Sequence, residues 1–303
     1  MTDHPKSRLR IFLTHRAGKA ARLCAAVLLA TATAAAAQET GHVEANGLTL
    51  YHEVSGEGPP IVVLHGAYMN IPAMGEIIAA LSDTRTVHAV EFQGHGRTAD
   101  IDRPITYQNL ADDVAAYMEA VGLQSADVFG YSMGATTGLQ LAIRHPDKVD
   151  RLVAITASFD AEGLHPTFRE FLPMMEVEMF LGLPMAEDYR ALAPDPDGFP
   201  ELVRKLIALE HEPMAWRAEV DALDLPVLLV TGDADVVSLS HTLEMFELLG
   251  GGVMGDMGAP LPASRLAVLP GTSHTALIAQ TELLMAITEP FLADEFPAGA
   301  FGN

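Results

Sequence analysis

Three short stretches carry residues able to make an alcohol reactive in water. Gly130-Tyr131-Ser132-Met133-Gly134 follows the apolar run Ala126–Phe129 and precedes the helical pattern Ala135–His145. It fits G-x-S-x-G, in which a serine sits on a sharp strand-to-helix turn. The two glycines suit that turn because a side chain at either position would crowd the neighbouring strand and helix. A serine hydroxyl is a weak nucleophile until an adjacent base takes its proton, and the base is in turn oriented by an acid. Leu228-Leu229-Val230-Thr231-Gly232-Asp233-Ala234-Asp235 places two acids beyond a buried strand, and Leu269-Pro270-Gly271-Thr272-Ser273-His274 places a histidine beyond the final one. Serine, acid and histidine in that order predict acyl transfer through a covalent intermediate.

The intervening elements must bring these residues together. Leu48–Val54 alternates apolar and polar residues like a strand with one wet face, and Ile61–Leu64 is a short apolar run suited to a buried parallel strand. A helix near Met74–Leu81, a strand over Thr86–Phe92 and a helix from Tyr107 or Asn109 to Val121 lead to the serine strand. A strand over Val149–Ala157 follows the serine helix. The alternation lapses from Asp160 to about Leu223, a Met-rich, Pro-punctuated helical stretch. It resumes with Pro226–Val230, a helix over Leu239–Leu249, a strand over Leu266–Leu269 and a helix through Pro290. Such alternation predicts an α/β fold: a mostly parallel sheet with helices on both faces. Gly250–Pro262 reads as a flexible loop and the tail from Pro297 as frayed.

Residues 1–37 read as a secretory signal peptide. Basic residues end at Arg22, an apolar segment spans Leu23–Ala30, and Ala35-x-Ala37 offers a cleavage site. The apolar segment is short of the roughly 20 residues that span a bilayer. Cys24, the single cysteine, lies within it, so the mature chain is expected to lack thiol chemistry. A periplasmic or secreted protein is expected, with no stable membrane insertion of the mature chain. The formal charge of the whole chain is -22, and the leader holds six of its 18 basic residues. So acidic a surface repels nucleic acid and favours neutral or cationic small molecules. No H-E-x-x-H pair, P-loop or G-x-G-x-x-G after the first strand occurs, so neither a metal nor a nucleotide cofactor is expected.

With these motifs, His65-Gly66 and Gly94-His95-Gly96-Arg97-Thr98, the chain resembles the α/β-hydrolase superfamily from about His42 to Pro290. The resemblance implies a core of residues 38–159 and 224–303 with a helical cap at 160–223. It implies Ser132 as nucleophile, His274 as base and Asp235 as acid, since the family's acid ends G-x-x-D. Asp160 and Asp233 remain alternatives for the acid. Oxyanion donors would be the backbone amides of Ala67 and Met133. Relatives with an aspartate nucleophile are disfavoured by Ser132. His65 and His95 are expected to brace loops. The cap's apolar residues, among them Phe171, Met175, Met179 and Trp216, would line an acyl pocket with Tyr68. The function implied is hydrolysis of a small or medium, largely apolar ester, or a related lactone, thioester or C–C substrate. An acyltransferase or cofactor-free perhydrolase on the same triad is one alternative, and a non-catalytic binder is another.

Overall fold

A computed structural model describes residues 39–255 and 261–295. The leader expected over residues 1–37, the tail from Pro297 and part of the Gly250–Pro262 loop lie outside the described residues. Among the described residues eight strands form one sheet: β1 (Glu39–Ala45), β2 (Leu48–Ser55), β3 (Pro60–Leu64), β4 (Thr86–Val90), β5 (Ala126–Tyr131), β6 (Val149–Ile155), β7 (Val227–Ala234) and β8 (Arg265–Ser273). Their spatial order is β1-β2-β4-β3-β5-β6-β7-β8. The β1–β2 and β2–β4 pairs are antiparallel, and every other neighbouring pair is parallel.

The central strands are apolar throughout because both of their faces are covered. Side chains alternate across the sheet. Val62 and Leu64 of β3, Val128 of β5, Leu152 and Ala154 of β6 and Leu229 of β7 join one core. Ile61, Val63, Phe129, Val153, Ile155, Leu228 and Val230 join the other. The first core is closed by α2 (Tyr107–Ala120), α3 (Met133–Arg144) and, through Met245, α8 (Leu239–Leu248). The second is closed by α1 (Gly75–Leu81) and α9 (Thr281–Leu292), with Ile77, Leu81, Leu284 and Phe291 facing inward.

Between β6 and β7 come α4 (Pro166–Phe171), α5 (Pro184–Leu192), α6 (Phe199–Glu210) and α7 (Arg217–Asp221), linked by short 3₁₀ turns. α6 buries Phe199, Leu202, Val203, Leu206 and Leu209, an i, i+3, i+4 stripe that docks it on the first core. β1 went unforeseen because its residues, ETGHVEA, are mostly polar and lie at a wet sheet edge. β8 runs on to Ser273, beyond the expected Leu269: its pairing with β7 continues past a register shift between Gly232 and Ala234, through Pro270 and Gly271.

Candidate active site

β5 ends at the turn that carries Ser132, whose φ is +55° and ψ −119°. A non-glycine residue in this region is strained and is held there only by its surroundings. Those surroundings explain both glycines. A Cβ on Gly130 would lie 2.6 Å from Ala135 Cα and against the Gly134 carbonyl. One on Gly134 would lie 2.6 Å from the His65 carbonyl oxygen and closer still to that of Leu64. The turn exists because α3 is pressed directly onto β3 and β5.

Ser132 Oγ lies 2.9 Å from His274 Nε2, and His274 Nδ1 lies 2.8 Å from Asp235 Oδ1. A carboxylate only accepts, so Nδ1 carries the proton and Nε2 is free to accept from the serine hydroxyl. Asp235 is buried, and burial pushes its carboxyl up. The His274 hydrogen bond and charge, the Gly232 amide and the Thr156 hydroxyl outweigh that and hold it below the usual range. Oδ1 also accepts from the Val236 amide at 2.6 Å and from Thr156 Oγ1 at 3.0 Å, while Oδ2 accepts from Thr231 Oγ1 and the Gly232 amide at 3.3 Å each.

Of the three acids considered, Asp235 is the one that meets His274. Asp233 points to solvent and accepts from the Thr272 amide at 3.0 Å, bracing β7 against β8. Asp160 caps a 3₁₀ turn by accepting from the Glu162 amide. His65 and His95 hold loops. His65 accepts from the Phe92 amide, and His95 donates to the Gln93 carbonyl and accepts from the Tyr68 amide. Burial lowers His65 to about 3 and His95 to about 4, so both are neutral braces at pH 7.

Two contributors to this geometry were missed in the sequence. Thr156, just past β6, has a φ of +57° and shares Asp235 Oδ1 with His274. Tyr131 donates its hydroxyl to the His274 carbonyl at 2.9 Å, tying the histidine turn to the serine turn. A positive φ on a β-branched residue signals a constrained site, but no local pattern announces it. Tyr131 was visible only as the variable residue before the serine.

A cavity of about 510 Å³ opens over Ser132 and His274, within the range of small-molecule pockets. Ala67, Tyr68 and Met133 line it from the core, and Phe168, Phe171, Met175, Phe180 and Met185 from the segment between β6 and β7. Tyr68 stacks on Phe180 with ring centroids 5.0 Å apart. Met133 opens α3, where backbone amides have no partner inside the helix. Two of the expected pocket residues are corrected. Trp216 is buried edge-on against Tyr107 at 5.7 Å, because α7 turns it into the core. Met179 is 47% exposed on a 3₁₀ turn. Neither lines this cavity. Among the described residues no group of three or more His, Cys, Asp or Glu has the arrangement of a metal site, and no helix is long and apolar enough to cross a membrane.

The profile of the alpha/beta hydrolase fold matches residues 59–252, most of the chain. The chain belongs to this family of enzymes. It is 27% identical over 255 residues to a pimeloyl-[acyl-carrier protein] methyl ester esterase of Neisseria meningitidis serogroup B, covering 77% of this chain and 92% of that one. Its fold is similar to that of an enol-lactonase from Burkholderia xenovorans LB400, with a TM-score of 0.63 at 21% identity over 83% of this chain and 99% of the other. A meta-cleavage product hydrolase from Pseudomonas fluorescens IP01 gives a TM-score of 0.64 at 22% identity, over 84% and 97%.

Proposed function

We propose that the protein is a serine hydrolase that cleaves a small or medium carboxylic ester, or a related lactone, through an acyl-enzyme on Ser132. The observation that carries this reading is the unbroken hydrogen-bond chain from Ser132 Oγ through His274 to Asp235 on the floor of a largely apolar cavity. The esterase name of the Neisseria relative supports the same reaction class.

In this mechanism His274 Nε2 takes the serine proton as Oγ attacks the acyl carbonyl. The new oxyanion is held by the Ala67 and Met133 amides. The protonated histidine then gives that proton to the departing alkoxide, releasing the alcohol and leaving the acyl group on Oγ. A water that loses a proton to His274 attacks the acyl carbon, and Oγ leaves as the histidine returns the proton. Asp235 keeps the imidazole in the tautomer both halves require. The segment at 160–223 acts as a cap that shapes the acyl site, and the leader pattern of residues 1–37 supports action outside the cytoplasm.

Ser132→Ala should lower kcat on a p-nitrophenyl ester by at least about a thousandfold. It should also abolish labelling by a fluorophosphonate probe. Wild-type turnover in that variant would refute the assignment.

A further inference from the structure

Glu210 is the last residue of α6 and lines the same cavity as Ser132 and His274. Its placement brings the fold no stability. A carboxylate at a helix C-terminus faces the negative end of the dipole. Burial pushes its pKa up, with only the His274 charge opposing. Among the described residues it has no hydrogen-bond or ion-pair partner. The Tyr68 hydroxyl, in the same wall, is likewise buried without a partner, and burial and then the Glu210 charge push its pKa up. Among the described residues no Lys or Arg lines the cavity, and Asp188 adds a second carboxylate to its lining. The rest of the wall is rich in aromatic rings, whose faces attract cations.

We propose that Glu210, with the Tyr68 hydroxyl and the aromatic wall, forms a subsite for an ammonium group, so that the substrate is an ester or lactone bearing a positive charge. This rests on the hydrolase reading above. The ammonium supplies the charge that Glu210 lacks and sits against ring faces. A neutral hydroxyl would gain only the hydrogen bond, and an anionic group would be repelled.

The test uses two isosteric pairs on the full-length enzyme. For the acyl side these are p-nitrophenyl 4-(trimethylammonio)butanoate and p-nitrophenyl 5,5-dimethylhexanoate. For the alcohol side they are the butyrates of choline and of 3,3-dimethylbutanol. In at least one pair the cationic member should have about tenfold higher kcat/KM, expressed mainly in KM. Glu210→Gln should cut that ratio at least about threefold, leaving only the share that the ring faces supply. A wild-type ratio near or below one in both pairs overturns the subsite without recourse to any variant, and so does a preference that survives Glu210→Gln undiminished. Hydrolysis of the neutral esters without cationic preference defeats the subsite alone. Failure of the wild-type enzyme to hydrolyse any of the four defeats the hydrolase reading, and the subsite with it.

Discussion

Five non-glycine residues have positive φ among the described residues, and Tyr68, Ser132 and Thr156 of these line the cavity. Strain concentrated at one site marks a geometry imposed by its surroundings. Thr156 shows what that geometry serves. Its hydroxyl donates to the same Asp235 oxygen that accepts the hydrogen bond from His274 Nδ1. Thr156→Val keeps the branched shape and removes one donor from a buried carboxylate. We expect kcat to fall roughly tenfold with KM little changed, and Thr156→Ser to restore most of it. An unaltered kcat would assign Thr156 to packing only. Ser132 and His274 were legible because their motifs are local: an apolar run, then a glycine-bearing turn. Thr156 and Glu210 were not, since a threonine after a strand and a glutamate ending an amphipathic helix are ordinary in any sequence. What sets them apart is which carboxylate or cavity they meet.

The α3–β5 corner depends on two backbones touching. Gly134→Ala would drive a methyl into the carbonyl oxygens of Leu64 and His65, neither of which can rotate away. We expect a loss of about 3 kcal/mol or more, read from the midpoint of urea unfolding. A midpoint within error of wild type would show that the corner can relax. A second tight junction lies at the loop after β4. Buried Glu91 accepts from the Ile71 and Arg97 amides and pairs with the Arg97 guanidinium at 2.9 Å, and a Cβ on Gly96 would strike its carboxylate. This carboxylate ties the Gly94–Thr98 loop to the turn before α1, beside the Ala67 loop. The helices and parallel strands were readable from periodicity because burial on one or two faces leaves a local pattern. β1 was not, because a strand at a wet edge takes its order from its partner β2 and needs few apolar residues of its own.

Across the domain, neutral buried histidines couple stability to pH. Burial lowers His65 to about 3 and His95 and His241 to about 4, against about 6.5 in an unfolded chain. Between those values the unfolded state binds protons that the native state refuses, so stability falls as pH drops from 6.5 towards 4. Glu91, Asp113 and Asp127, raised by burial, oppose this by taking up protons in the native state first. The histidines should dominate because their interval opens at higher pH, where most carboxylates are still ionised in both states. Calorimetry should show Tm declining by several degrees from pH 7 to 5, and a Tm that rises over that range would contradict neutral burial. The chain's residue order alone established the alternating α/β architecture and a serine, acid, histidine succession with Ser132 and His274 at its ends and Asp235, Asp233 or Asp160 between them, because strand, turn and helix preferences act over a few neighbouring residues. Only the folded molecule decided that Asp235 reaches His274, that Trp216 turns away from the cavity and that Glu210 faces into it. Those outcomes depend on direction: how β7 registers against β8, and how α6 and α7 rotate as they dock, vary with contacts between residues far apart in the chain.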